Sequence, residues 1–280
     1  MTKRRRTRVR AAKLELSRTK SKPKPNIEDY SLLLYGRPKV GKTSFAAEFD
    51  SPIFLMCEPG GKALSIYQNA VENWEMFKKF VDLVKEDEEF KVVVVDTVDR
   101  AFKFCEKHVC DLMGWEHPND GGGYGQGWSV VGTEFSSVMN DLLHCGKGVI
   151  FTSHVDTKKV EGKGSKKDFD YWKPSIGGTG LKFLEAACDL IVFFDYGEDE
   201  QHRELVIRGN NLCSGGMRLS NHFKGLSKLK AGKTPQEAYE AFIDGFNNKY
   251  KDPENDEADE ESTGRSRRKK SSRRKKRRTE

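Results

Sequence analysis

Residues 31–49, SLLLYGRPKVGKTSFAAEF, constrain this chain more than any other stretch. The apolar run 31–35 suits a buried strand. Gly36-Arg37-Pro38-Lys39-Val40-Gly41-Lys42-Thr43 then satisfies G-x-x-x-x-G-K-[ST], and Ser44 leads into a helix that reads to 49. Phosphate binding needs all three parts in that order. Glycine lets the loop turn its backbone N–H groups inward, and the following helix sets its partial positive end against the anion. Residues 36–44 are thus the expected nucleotide cradle for ATP. Lys42 is expected to reach the β- and γ-phosphates, and Thr43 to ligate Mg²⁺ through its hydroxyl.

The next apolar strand, 52–57, ends at Glu58, and Pro59-Gly60-Gly61 breaks the chain there. A carboxylate at the carboxyl tip of a strand is where open α/β sheets put chemistry, although an acid in a turn has the same appearance. Residues 92–95 are four valines followed by Asp96, the form of a strand whose terminal acid holds Mg²⁺. Asp99, just beyond, reads as an acid in a first helical turn. A strand over 148–153 ends at polar His154. Helices are expected over 74–90, 101–113, 130–144, 181–188 and 234–248. The last opens on Thr234-Pro235-Gln236-Glu237, a capping box with proline at the first helical position. Further strands fall at 190–194 and 204–207.

Two long loops remain. The first, 114–128, is glycine-rich around Tyr124 and carries two tryptophans. The second, 156–180, sets Lys158, Lys159, Lys163, Lys166, Lys167 and Lys173 around Tyr171-Trp172. Long loops in compact domains are usually functional or disordered. Bases offer π-faces and phosphates offer charge, so cations among aromatics suit single-stranded DNA; a solvated lysine loop is the alternative.

Charge is distributed in blocks. Residues 1–25 carry eleven Lys/Arg against one Glu, 265–280 another eleven against one Glu, and 252–261 seven carboxylates with no base. The formal net charge is only +7, so the remaining core is acidic. The expected organisation is therefore a basic disordered tail over 1–25, an ATPase core over 26–251, an acidic linker over 252–264 and a second basic tail over 265–280. Such tails act as nucleic-acid arms, as targeting signals or simply for solubility. Six cysteines without a C-x-x-C pair point to a reducing, cytoplasmic compartment: the host cytoplasm for a viral protein, the nucleus only in a eukaryotic host. Cys105, His108 and Cys110 do not share one helical face, and no second cluster completes a zinc site. No apolar run reaches 18 residues, so no membrane span is expected.

The segments LLLYGRPKVGKTSFAAEF, PIFLMCEPGG, VVVVDTVDR and GVIFTSHV, spread over 30–210, resemble the RecA core. More closely they resemble the short phage-type RecA-like ATPases known as single-strand annealing proteins. The resemblance implies a mainly parallel twisted sheet flanked by helices, and an ATPase acting with single-stranded DNA in recombination, annealing or repair. It also implies a ring or filament of identical subunits and a single-strand-binding protein as partner. Carried over by position, Glu58 activates the attacking water, Asp96 binds the metal and His154 senses the γ-phosphate, where RecA has glutamine. The loops 121–127 and 156–180 fall where RecA binds DNA, and Arg218 and Arg208 are candidates for the cation that acts across a subunit interface. RecA's N-terminal polymerisation strand has no visible counterpart. Two other readings are a nucleotide-gated DNA scaffold or loader with negligible turnover, and a small-molecule kinase. The kinase reading lacks an arginine-rich lid.

Overall fold

The structure, a computed structural model, describes residues 16–160 and 168–252. The strands are β1 (Ser31–Gly36), β2 (Pro52–Met56), β3 (Tyr67–Ala70), β4 (Val92–Asp96), β5 (Gly148–Val160), β6 (Phe169–Pro174), β7 (Leu190–Tyr196), β8 (Arg203–Val206), β9 (Gly216–Met217) and β10 (Lys228–Lys230). Their main order is β10-β8-β7-β1-β5-β4-β2-β3, with β6 on the outer half of β5 and β9 on β7. From β7 to β3 the strands are parallel; β8 and β10 continue the sheet antiparallel. Strands buried on both faces read as unbroken apolar runs, which is why β1, β2 and β4 were visible as such.

Side chains alternate across a strand, so each run feeds two cores. Leu33, Leu55, Val93 and Val95 enter one apolar cluster, while Leu32, Leu34, Phe54, Val92 and Val94 enter the other. The first is covered by α2 (Trp74–Glu86), α3 (Val98–Met113), α4 (Gln126–Leu143) and α5 (Gly178–Ala187), with Trp74, Phe77, Phe102 and Phe135 at its centre. The second lies under α1 (Lys42–Ala47) and α6 (Pro235–Phe246), where Phe45 meets Phe242 at 5.5 Å between ring centres. The capping box at Thr234 and Glu237 forms as expected.

The structure corrects three expectations. Helix α3 begins at Val98 rather than at 101, with Asp99 in its first turn as expected, and α4 begins at Gln126, so Gly127 and Trp128 are helical. Before α4 the glycine segment makes two short 3-10 turns, 118–121 and 123–125. Residues 156–180 are not one loop: β5 runs on to Val160 and pairs antiparallel with β6, Lys158 opposite Tyr171 and Thr157 opposite Trp172. Phe169, Tyr171 and Trp172 are strand-forming residues, and Asp156 pairs with Lys173 at 2.9 Å across the hairpin base. Edge strand β3 escaped the sequence reading because YQNA is polar and mostly exposed.

Candidate nucleotide site and nucleic-acid face

The phosphate loop joins β1 to α1 at the carboxyl edge of the sheet. Gly36 is required by crowding, since a Cβ there would lie 1.8 Å from the Phe194 carbonyl oxygen. Gly41 is required by conformation, with φ of 108°. Lys42 is buried and donates from Nζ to the Gly36 and Arg37 carbonyls at 2.9 and 3.0 Å. Burial pushes its ammonium below the usual lysine range, against the pull of Asp96, Asp99, Glu58 and Asp195. A cation desolvated among acids is ready to exchange carbonyl contacts for phosphate oxygens.

Thr43 donates its hydroxyl to Asp96 Oδ2 at 2.6 Å, and Thr152 donates to Asp96 Oδ1 at 2.5 Å. Hydroxyl and carboxylate oxygens side by side are the donor set that a hard cation such as Mg²⁺ takes, so Thr43 and Asp96 fit that ion. Glu58 lies across the cleft. Its Oε1 accepts from the Thr97 hydroxyl at 2.9 Å, and its Oε2 stands 3.3 Å from His154 Nε2. The Asp96–Thr97 peptide is cis. Lys39, Gly41, Lys42, Thr43, Ser44, Glu58, Asp96 and His154 line one cleft of about 280 Å³. The structure thus brings together the residues expected to bind nucleotide, metal and water. A larger groove of about 950 Å³ runs between α2 and α3, with no residue of the phosphate loop in its lining. Two of its cations are already paired, Lys103 with Glu106 and Lys107 with Asp111.

Four supporting residues were not foreseen. Thr97 and Thr152 orient the two acids. Asp195, at the end of β7, receives Arg37 Nε at 2.6 and 2.7 Å on its two oxygens, pinning the loop's first turn. Arg203 on β8 is buried behind the loop, donating to the Val40 carbonyl at 2.8 Å and to the Lys233 carbonyl. Asp195 ends an apolar run as Asp96 does, so the same reasoning could have flagged it. Arg203 has no local signal.

Among the residues expected at DNA, Tyr124 is fully exposed. Lys158 and Lys159 are exposed on the outer half of β5. Lys163, Lys166 and Lys167 lie outside the described residues, as do 1–15 and 253–280 of the charged tails. Trp172 is 38% exposed. Its ring packs edge-on against Phe193 at 5.1 Å, and its backbone pairs with Leu212 and Ser214. A further cavity of about 320 Å³ is lined by Trp128, Gly177, Gly178, Thr179 and Lys182, where α4 and α5 begin. Arg218 and Arg208 are engaged within the chain, on the carbonyls of Ala186 and Ala187 and of Leu226. All six cysteines are free thiols. No helix among the described residues is long and apolar enough to cross a membrane.

A glycine-turned phosphate cradle beside a Thr–Asp pair, at the carboxyl edge of a mainly parallel sheet, defines a P-loop nucleotide-binding α/β protein. The chain belongs to the family described as the AAA domain, whose model matches residues 28–228, and its core is an AAA-type ATPase domain. It is 31% identical over 151 residues to the SPbeta prophage-derived uncharacterized protein YorG of Bacillus subtilis (strain 168). That match takes in 50% of this chain and 46% of the relative, so the chain spans about half the length of the curated relative it matches. Among solved structures, the KaiC-like protein PH0186 of Pyrococcus horikoshii OT3 aligns with a TM-score of 0.45 at 17% identity, over 74% of this chain and 87% of that one.

Proposed function

We propose that the protein is a Mg²⁺-dependent ATPase that binds single-stranded DNA and acts in recombination, annealing or repair. The observation that carries the reading is the cleft itself, where Lys42, the Thr43–Asp96 pair and the Glu58–His154 pair converge. In this reading Lys42 and the loop amides hold the phosphate chain and stabilise the charge that develops as the terminal bond breaks. Mg²⁺ held by Thr43 and Asp96 supplies further charge neutralisation. Glu58 orients the attacking water and takes its proton, and His154 holds Glu58 from the sensor position.

Single-stranded DNA is supported by exposed Tyr124 and by Lys158 and Lys159 on the β5–β6 hairpin. Trp128 and the stem of Lys182 line a further, apolar cavity. A ring or filament of identical subunits, a single-strand-binding protein as partner, a phage source and a cytoplasmic site belong to the same reading. A second reading is a nucleotide-gated DNA loader with little turnover. It is favoured by Glu58 having both carboxylate oxygens engaged, by Thr97 and His154.

ATP hydrolysis measured with and without single-stranded DNA separates the two. The ATPase reading expects turnover that DNA raises, and Lys42→Ala should abolish it while the circular dichroism spectrum stays that of wild type. Wild-type hydrolysis in Lys42→Ala would overturn the site assignment. DNA binding with nucleotide-dependent affinity but no turnover would favour the loader.

A further inference from the structure

Asp99 sits in the first turn of α3, where an acid ordinarily needs nothing but solvent and the helix end. Here it is engaged on both oxygens. Oδ1 accepts the Ser153 hydroxyl at 2.6 Å and Oδ2 accepts the His154 backbone N–H at 2.7 Å. Burial pushes its carboxyl above the usual range, even though Ser153, His154 and Ser175 all favour the charged form. A desolvated acid is therefore kept where an exposed one would serve the helix as well.

Its partners mark the point where β5 leaves the sheet. Ser153 and His154 are the last residues of β5 in register with β1, and from Val155 onward β5 pairs with β6. The returning leg is tied to the same point, because Ser175, directly after β6, donates its N–H to the His154 carbonyl at 2.9 Å. Just beyond, Gly177 and Gly180 fit against Phe102, one turn along α3; a Cβ at either would fall within 2.6 and 2.7 Å of its ring. The first turns of α3 thus hold both legs of the hairpin, and the pinned residue His154 is the one that reaches Glu58.

We propose that Asp99 is a positioning residue: by pinning Ser153 and His154 it joins the β5–β6 hairpin to the start of α3 and aims the His154 imidazole at Glu58. Removing it frees the hairpin base and misplaces His154 while leaving every hydrogen bond of the phosphate loop in place. The catalytic half of this inference rests on the reading of Glu58 given above; the hairpin half does not.

Amide hydrogen exchange on the full chain tests the hairpin half, and single-turnover hydrolysis per bound nucleotide tests the other. In Asp99→Ala, exchange at 154–160 and 169–174 should quicken by about tenfold or more, while 32–35 and 93–95 keep wild-type protection. Hydrolysis should fall by about tenfold with nucleotide affinity within about twofold of wild type, the pattern of a misplaced group rather than a lost binding contact. Asp99→Asn keeps an acceptor for the His154 N–H and should recover most of both. Wild-type exchange in the hairpin of Asp99→Ala, equal quickening in β1 and β4, or unchanged hydrolysis would each overturn the proposal. If Asp99→Ala does not fold, Ser153→Ala removes only the Ser153 hydroxyl's bonds, to Asp99 and to the neighbouring His154 carbonyl, and must still quicken exchange at His154; failure there overturns the proposal as well. If the wild type itself hydrolyses nothing, the ATPase reading has failed, and exchange alone decides the role of Asp99.

Discussion

Asp96 ends β4 and Glu58 follows the adjacent β2 by two residues, yet their partners give them different tasks. Asp96 is held by the hydroxyls of Thr43 and Thr152, one of which belongs to the phosphate loop. Asp96→Asn should therefore weaken Mg²⁺-dependent nucleotide binding as well as hydrolysis. Glu58 is held by Thr97 and His154, outside the loop. Glu58→Gln should bind ATP and Mg²⁺ like wild type and lose about 10²-fold or more in kcat, the scale of a general base. Fluorescent-nucleotide titration beside single-turnover hydrolysis reads both variants. Normal turnover in Glu58→Gln would reduce that acid to a turn residue.

At the scale of elements, the phosphate loop is held from behind by parts that arrive late in the chain. Pro235, at the start of α6, lies where a Cβ on Gly41 would fall, and Arg203 on β8 donates to the Val40 carbonyl. Thr234 caps α6 by accepting from the Glu237 N–H at 3.1 Å. Thr234→Ala should cost about 1 kcal/mol of stability, read as a lower denaturant midpoint at unchanged m-value. On the other side of the site, the hairpin carries Lys158 and Lys159 into solvent. If both meet phosphates, replacing them with alanine should lower the slope of log K against log salt for single-stranded DNA by roughly 1.4, about 0.7 per contact. An unchanged slope would remove β5 from the DNA face.

For the whole molecule the charge partition matters most. The acidic core repels a polyanion at long range, and the two basic arms, with eleven Lys/Arg against one Glu each, are the blocks of net positive charge. Deleting 1–15 and 265–280 should flatten the salt dependence of DNA binding further than the hairpin variants do, and leave basal hydrolysis nearly unchanged. Deleting the acidic stretch 253–261 alone should tighten binding, because those carboxylates compete with DNA for the neighbouring arginines and lysines. Equal salt slopes with and without the arms would refute their role.

Contiguous features were legible without coordinates. The phosphate loop and the valine run ending in Asp96 are local signals, because strand burial and glycine turning leave their mark on adjacent residues. The capping box at Thr234 is equally local. Glu58 and His154 stood out as polar residues ending apolar runs, which placed them at one edge of the sheet. Their 3.3 Å separation comes from the sheet order, which sets β4 between β2 and β5. The hairpin was hidden because its polar, lysine-rich legs satisfy their backbone by pairing with each other rather than by burial. Arg203, Thr152 and Asp99 took their roles only from tertiary structure, as did the partner of Asp195, though not its place at the end of an apolar run. Each acts on a residue at least 54 positions away in the chain, and no pattern of neighbours can encode a contact across that distance.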